Sequence, residues 1–303
     1  MTLRPALLAA CASLSWGTWA RSDEIFRPYA AVSLEESWDS NVLGTQGDDA
    51  VTRLAPQVGV IREDRRLVLG VDYRVALHSY LAGSTEDSVN HRGGAFARFE
   101  LNPRIQVDAD VLVIEADDPI VLERPGLAVP PGGIFEISTG FKVTGEMTRR
   151  WRMESSYAYR RSRFDLADDP MPFVFDGDEH RADLRAVYRL TRRLDAIAAG
   201  RGQYFMAGGP QPDEVAAAPL AGLAYRATRE LRLSAEGGPV FYQPRGPGPS
   251  DVSYLADARI VWTGQRLRAA LIGLRELYGG TGAPQAIWSE QLGASLALSL
   301  IHI

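Results

Sequence analysis

The chain has 303 residues, 46% of them hydrophobic, and a formal net charge of −5 at neutral pH. That apolar fraction excludes a disordered chain, and the acidic balance argues against nucleic acid as a partner, since nucleic-acid binders are as a rule basic. Beyond the N-terminus no run near about 20 apolar residues exists, which excludes a helical membrane protein; a transmembrane β-barrel, where only alternate residues need be apolar, is compatible.

Met1 to Arg4 is a short basic start, Pro5 to Trp16 an apolar core, and Thr18-Trp19-Ala20 a small-x-small cleavage site. Residues 1–20 therefore read as a secretory signal peptide. Leu8-Ala9-Ala10-Cys11 also matches the pattern at which bacterial lipoproteins are cleaved, but its apolar core, Pro5 to Ala10, falls below the roughly 7 residues expected. Ordinary cleavage after Ala20 leaves a mature chain without cysteine, which excludes disulfides and disfavours thiol catalysis.

The first strand is expected over Tyr29 to Asn41, the second over Val51 to Arg62, with Glu63-Asp64-Arg65 as a tight turn. The segment from Arg66 to Asn102 sets the pattern for the rest. Leu67, Leu69, Val71, Tyr73, Val75 and Leu77 alternate with Val68, Gly70, Asp72, Arg74, Ala76 and His78; after a polar loop Ala95, Ala97, Phe99 and Leu101 alternate with Gly94, Phe96, Arg98 and Glu100. A period of two over that length is a strand with two unlike faces. Further strands follow at Ile105 to Glu115, Ile134 to Glu146, Trp151 to Arg163, His180 to Leu190, Leu194 to Phe205, Val215 to Tyr225, Leu231 to Tyr242, Val252 to Trp262, Arg266 to Tyr278 and Ile287 to Leu298.

These are about fourteen strands of roughly 10 to 13 residues, close to the ~9–11 that cross a bilayer. Long polar loops alternate with short turns, the asymmetry of outer-membrane barrels. A soluble sandwich has shorter strands and no such alternation. Hydrocarbon cannot hydrogen-bond a backbone, so the expectation is an all-β, transmembrane, antiparallel up-and-down β-barrel over residues 21–297, closed on itself. Its lipid-facing aromatic girdles fall to Trp151, Tyr225 and Trp262 beside the short turns, and to Tyr159, Tyr204 and Phe241 near the long loops.

Trp38-Asp39-Ser40-Asn41-Val42, the pair Asp48-Asp49 and the hairpin ending at Tyr80 resemble the start of an outer-membrane β-barrel porin family (porin 2-like) associated with exopolysaccharide secretion. The resemblance is specific up to Tyr80 and a pattern match beyond. It implies a barrel in the bacterial outer membrane with a polar lumen that passes or guides polysaccharide, with outer-membrane lipid, polysaccharide and periplasmic export components as partners, and it brings no catalytic residue. Such barrels usually end in an aromatic residue. This chain ends in LSLIHI, one reading frame of a transposon end used in preparing sequencing libraries, so residues 298–303 read as a non-native tail and the barrel as C-terminally truncated.

The candidate lumen residues are Asp72, Arg74, Arg98, Glu100, Asp108, Asp110, Arg152, Arg160, Arg181, Asp183, Arg185, Arg189, Arg201 and Arg259. Two readings stay open. In one, rings of charge orient a passing polar solute. In the other, the charges pair across strands and fill the lumen, leaving a structural or docking barrel of an envelope secretion complex. The row Arg181/Arg185/Arg189 is the best patch for an acidic sugar. An outer-membrane hydrolase would need His78 and His91 to converge, which their opposite parity opposes unless Gly93-Gly94 forms a bulge. Asp117-Asp118 and Asp168-Asp169 read as solvated surface rather than calcium ligands. No enzyme activity, cofactor or metal is expected.

Overall fold

The computed structural model describes residues 10–17, 26–39, 49–81, 87–117, 133–165, 176–208, 213–245, 250–264, 267–278 and 287–298. They form β1 (Ala10–Gly17), β2 (Phe26–Asp39), β3 (Asp49–Glu63), β4 (Leu67–Tyr80), β5 (Ser88–Asn102), β6 (Ile105–Ala116), β7 (Gly133–Glu146), β8 (Trp151–Asp165), β9 (Gly177–Arg189), β10 (Leu194–Ala207), β11 (Glu214–Arg226), β12 (Leu231–Pro244), β13 (Asp251–Thr263), β14 (Leu267–Tyr278) and β15 (Ile287–Leu298). The sheet order is the chain order. Strands β2 to β15 are the fourteen that the alternation predicts. Strand β1 falls within the expected signal peptide and pairs antiparallel with β2, Ala10 opposite Glu36 and Gly17 opposite Tyr29.

The expectation of a closed barrel is corrected by this topology. Among the described residues β1 pairs with β2 and β15 with β14, and the two terminal strands do not pair with each other, so the sheet is open. The reason is physical. Alternation and turn length specify which neighbours pair and which face each residue takes. Closure needs strand number, tilt and shear to be mutually consistent over the whole sheet, and no local pattern encodes that.

Contacts divide the chain into two units: Met1–Glu100, Asp108–Gly140 and Arg160–Asp176; and Leu101–Val107, Phe141–Tyr159 and Gly177–Ile303. In the first, the register puts Gly59, Asp72 and Gly94 side by side, with Gln57, Arg74 and Arg92 in the next row of the same face. Gly70, Ala76 and His78 on that face are enclosed, while Val58 and Val71 on the other are each 56% exposed. The second unit repeats this: Arg185 and Glu236 are partly enclosed, and Leu184, Leu223 and Ile260 on the opposite face are exposed. In these rows charged residues lie on the enclosed face and large apolar residues on the exposed one, the reverse of a water-soluble fold.

Three short turns of the second unit share one device. Thr148, Thr191 and Thr228 begin Thr-Arg-Arg-Trp, Thr-Arg-Arg-Leu and Thr-Arg-Glu-Leu. Each Oγ1 accepts from the backbone N–H groups two and three residues on, at 3.0–3.2 Å. Each Thr N–H in turn donates to the carbonyl of the residue that opens the next strand. The hydroxyl thus satisfies the donors a reversing chain leaves free.

Thr191→Val strips an acceptor from two N–H groups and is expected to cost about 1 kcal/mol in denaturant unfolding. Val71→Arg is expected to cost about 2–4 kcal/mol when the chain folds into lipid vesicles, if Val71 lies near the midplane, while Gln57→Arg on the other face costs little.

Candidate functional site

The candidate site is the polar face, and its geometry is clearest in the second unit. Antiparallel pairing sets Asp183 of β9 opposite Arg201 of β10, Arg189 opposite Asp195, and Glu236 of β12 opposite Asp257 of β13. The Arg201 guanidinium donates to Asp183 at 2.6 Å and to Glu276 of β14 at 3.2 Å. Arg181 meets Asp183 at 3.1 Å and Glu276 at 3.8 Å. Arg185 of β9 reaches Glu236 of β12 at 2.6 Å.

Those distances fix the curvature of this unit. Strands lie about 4.8 Å apart, so β9 and β14 are about 24 Å apart along the sheet. That is beyond the combined reach of an arginine and a glutamate. The ion pair from Arg181 to Glu276 therefore forms because the sheet curls over its polar face, which is concave.

The fourteen expected residues meet different partners. In the first unit Arg98 pairs with Asp108 at 2.7 Å, Arg160 with the enclosed Glu136 at 3.5 Å, and Arg74 donates to Ser33 at 3.4 Å. Asp72 accepts from Gln57 at 3.3 Å, and Glu100 is exposed. Asp110 sits over Gly140, where an added Cβ would lie 2.5 Å from its Oδ1 and would push the carboxylate aside. In the second unit Arg152 pairs with Glu154 at 3.1 Å and Arg259 with Asp257 at 2.6 Å. Arg189 shares Asp195 with Arg226 at 3.9 and 3.7 Å. The row Arg181, Arg185 and Arg189 is thus occupied by its own carboxylates.

The alternation also marks residues the charge pattern alone did not single out. Asp195, Arg226, Arg232, Arg268 and Glu276 share the polar face by register. Sequence reading missed two apolar islands on that face. Ala218, Leu220, Val240 and Leu255 form one, and Val187, Ile197 and Ala224 the other. Val187 and Ile197 share the parity of Arg185 and Arg201, whereas Ala218, Leu220 and Ala224 are assigned inward by the register with β10.

On the outer face Trp151 packs against Tyr188 with centroids 4.8 Å apart, and the Trp262 indole donates to Glu230 at 3.2 Å, both beside short turns; Tyr225 is exposed there too. Near the long loops Tyr159 donates to Asp178 at 2.5 Å and Tyr204 to Asp213 at 2.7 Å. Phe241 is exposed in the same zone. His180 lies between Tyr159 and Tyr204, with centroids 5.1 and 6.2 Å away, and bonds Tyr157 at 2.7 Å. His180 shares parity with Tyr188, so alternation alone could have placed it.

His78 and His91 do not converge. The β4–β5 register runs without a break across Gly93-Gly94, so no bulge turns His91 inward. His78 is enclosed on the polar face, and His91 bonds Tyr73 at 2.6 Å on the outer one. Asp118, Asp168 and Asp169 lie outside the described residues, as do Ser40, Asn41, Val42 and Asp48.

No protein-family model and no curated protein matches the sequence. Solved structures match the fold. A bacterial polysaccharide outer membrane secretin superposes with a TM-score of 0.55 at 12% identity, over 97% of this chain and 98% of the secretin. The FrpB iron transporter from Neisseria meningitidis (F5-1 variant, apoprotein form) gives 0.59 at 10% identity, over 95% of this chain and 56% of the transporter. The copper transporter OprC gives 0.59 at 12%, over 97% and 58%. This chain thus spans little more than half the length of those two transporters. At such identities the likeness is one of fold: a β-sheet-rich, outer-membrane-type fold that transporters and a secretin share. The likeness runs consistently to such proteins, and it is a likeness of fold.

Arg201→Met leaves Asp183 and Glu276 to Arg181 alone, and is expected to cost about 2 kcal/mol in denaturant unfolding. A double-mutant cycle with Glu276→Gln should return a coupling of about 0.5–3 kcal/mol. The exposed pair Arg27–Glu63 should return less than about 1 kcal/mol.

Proposed function

We propose that this chain is a non-catalytic outer-membrane channel protein that passes or guides polar solutes, polysaccharide among them, along the polar face of its sheet. The observation that carries the reading is the inversion of faces: exposed apolar side chains outside, and a concave face furnished with arginine and carboxylate pairs inside. Soluble domains have no use for that arrangement, whereas a lipid-facing sheet that presents a hydrated path requires it. The resemblance of the stretch up to Tyr80 to porins associated with exopolysaccharide secretion points the same way, as does the near full-length fold match to a polysaccharide secretin. Outer-membrane lipid is then the outer partner, with Trp151, Tyr159, Tyr204, Tyr225, Phe241 and Trp262 seated at the two interfaces. Polysaccharide and periplasmic export components are the inner partners, and no cofactor is needed.

A second reading, a non-conducting docking element, is favoured by one observation: the ion pairs joining β9, β10, β12 and β14 span the concave face of the second unit. Reconstitution separates the two. The full chain in planar lipid bilayers is expected to give stepwise conductance, and in proteoliposomes swelling with neutral oligosaccharides. Complete absence of both overturns the channel reading and leaves the docking one.

A further inference from the structure

The cations that remain available lie elsewhere than in the Arg181/Arg185/Arg189 row. A cavity of about 380 Å³ opens on the concave face of the second unit, toward its short turns. That volume is at the low end of the ~300–1,000 Å³ typical of small-ligand sites. Its apolar floor is the island of Val187, Ile197 and Ala224. Five arginines line it against two carboxylates, Glu236 and Asp257. Both carboxylates are committed, Glu236 to Arg185 and Asp257 to Arg259, each at 2.6 Å. Arg152 has Glu154. Arg232 and Arg268 make no ion pair among the described residues. An adjoining cavity of about 290 Å³ shares Arg152 and Arg232 and adds four more arginines against Glu146 and Asp195. This concentration of positive charge stands in a chain whose net charge is −5.

A second observation is independent of the cavities. Arg232 lies directly opposite Arg226 across the β11–β12 ladder. Like charges in that position destabilise a sheet. Arg226 has Asp195 at 3.7 Å, but Arg232 has no ion-pair partner among the described residues to offset the repulsion. A face that carries this repulsion when empty is relieved of it when an anion sits between the guanidinium groups.

We propose that this cavity, with Arg232 and Arg268 as its principal ligands, binds carboxylate groups of an acidic saccharide chain. The guanidinium fork matches a planar carboxylate in two parallel hydrogen bonds, and the apolar floor suits the carbon face of a sugar ring. The inference rests on the reading of the polar face as the solute path, and names the class of solute.

The test uses the purified full chain in detergent, titrated calorimetrically with oligogalacturonate, with neutral maltohexaose and with inorganic phosphate. Oligogalacturonate alone is expected to bind, and Arg232→Gln with Arg268→Gln to weaken it at least tenfold. Arg232→Lys, which keeps the charge and loses the fork, should give an intermediate loss, and Arg65→Gln, in a turn of the other unit, none. Arg232→Gln should also raise the ligand-free Tm by relieving Arg226, which shows that lost binding is not lost folding. Equal binding of maltohexaose or phosphate, undiminished binding by the double variant, or a lowered Tm overturns the assignment. Conductance of the same preparation separates the two claims. Binding without conductance sinks the channel and keeps the site, and conductance without binding does the reverse.

Discussion

Arg201, held by Asp183 on the adjacent strand and by Glu276 four strands away, ties the second unit together across its own hollow. Two carboxylates and one guanidinium meet where the sheet folds over itself, so the junction fixes curvature as well as charge. Placed on a flat sheet, Arg201 would have Asp183 alone, and Glu276 would lie out of reach. Arg181 reaches the same glutamate and Arg185 reaches Glu236. The concave face is held by several such ties rather than by an apolar core, and its apolar islands occupy the spaces between them.

The outer face follows from the same arrangement. Once every second residue of a strand is committed to the hollow, the remainder must face the surroundings, and here the exposed large side chains are mainly leucine, valine, isoleucine and aromatic. Water would penalise that surface, and hydrocarbon would not. The threonine turns complete the scheme at one end, where Thr148, Thr191 and Thr228 satisfy the backbone donors of a tight reversal. Together these features give the sheet one apolar and one charged face, in a fold shared with the transporters and the secretin that superpose on it.

Much of this was legible because a strand's period of two is a local property. Asp72 and Arg74, or Asp183 and Arg185, must share a face whatever the rest of the chain does, and the structure puts them there. Turn positions were legible because Gly, Pro, Thr and charged residues cluster between alternating runs. Closure was not legible, because it depends on strand number and shear summed over the sheet. Nor were the ion-pair partners: that Arg181 is spent on Glu276 follows from curvature, which no alternation states. The apolar islands were hidden for a related reason. Ala218 and Leu220 look like lipid-facing residues until the register with Arg201 and Ala199 assigns them inward.

Collision accessibility of spin labels reads the inversion of faces residue by residue. With the chain's single cysteine, Cys11, replaced by serine, nitroxides are placed one at a time from Leu231 to Glu236 along β12 of the lipid-reconstituted protein. Access should alternate along the strand. Labels at Leu231, Leu233 and Ala235 should collide with lipid-soluble oxygen, and those at Arg232, Ser234 and Glu236 with a water-soluble nickel chelate. Alternation of the opposite phase, or equal access of both reagents to all six positions, would contradict it.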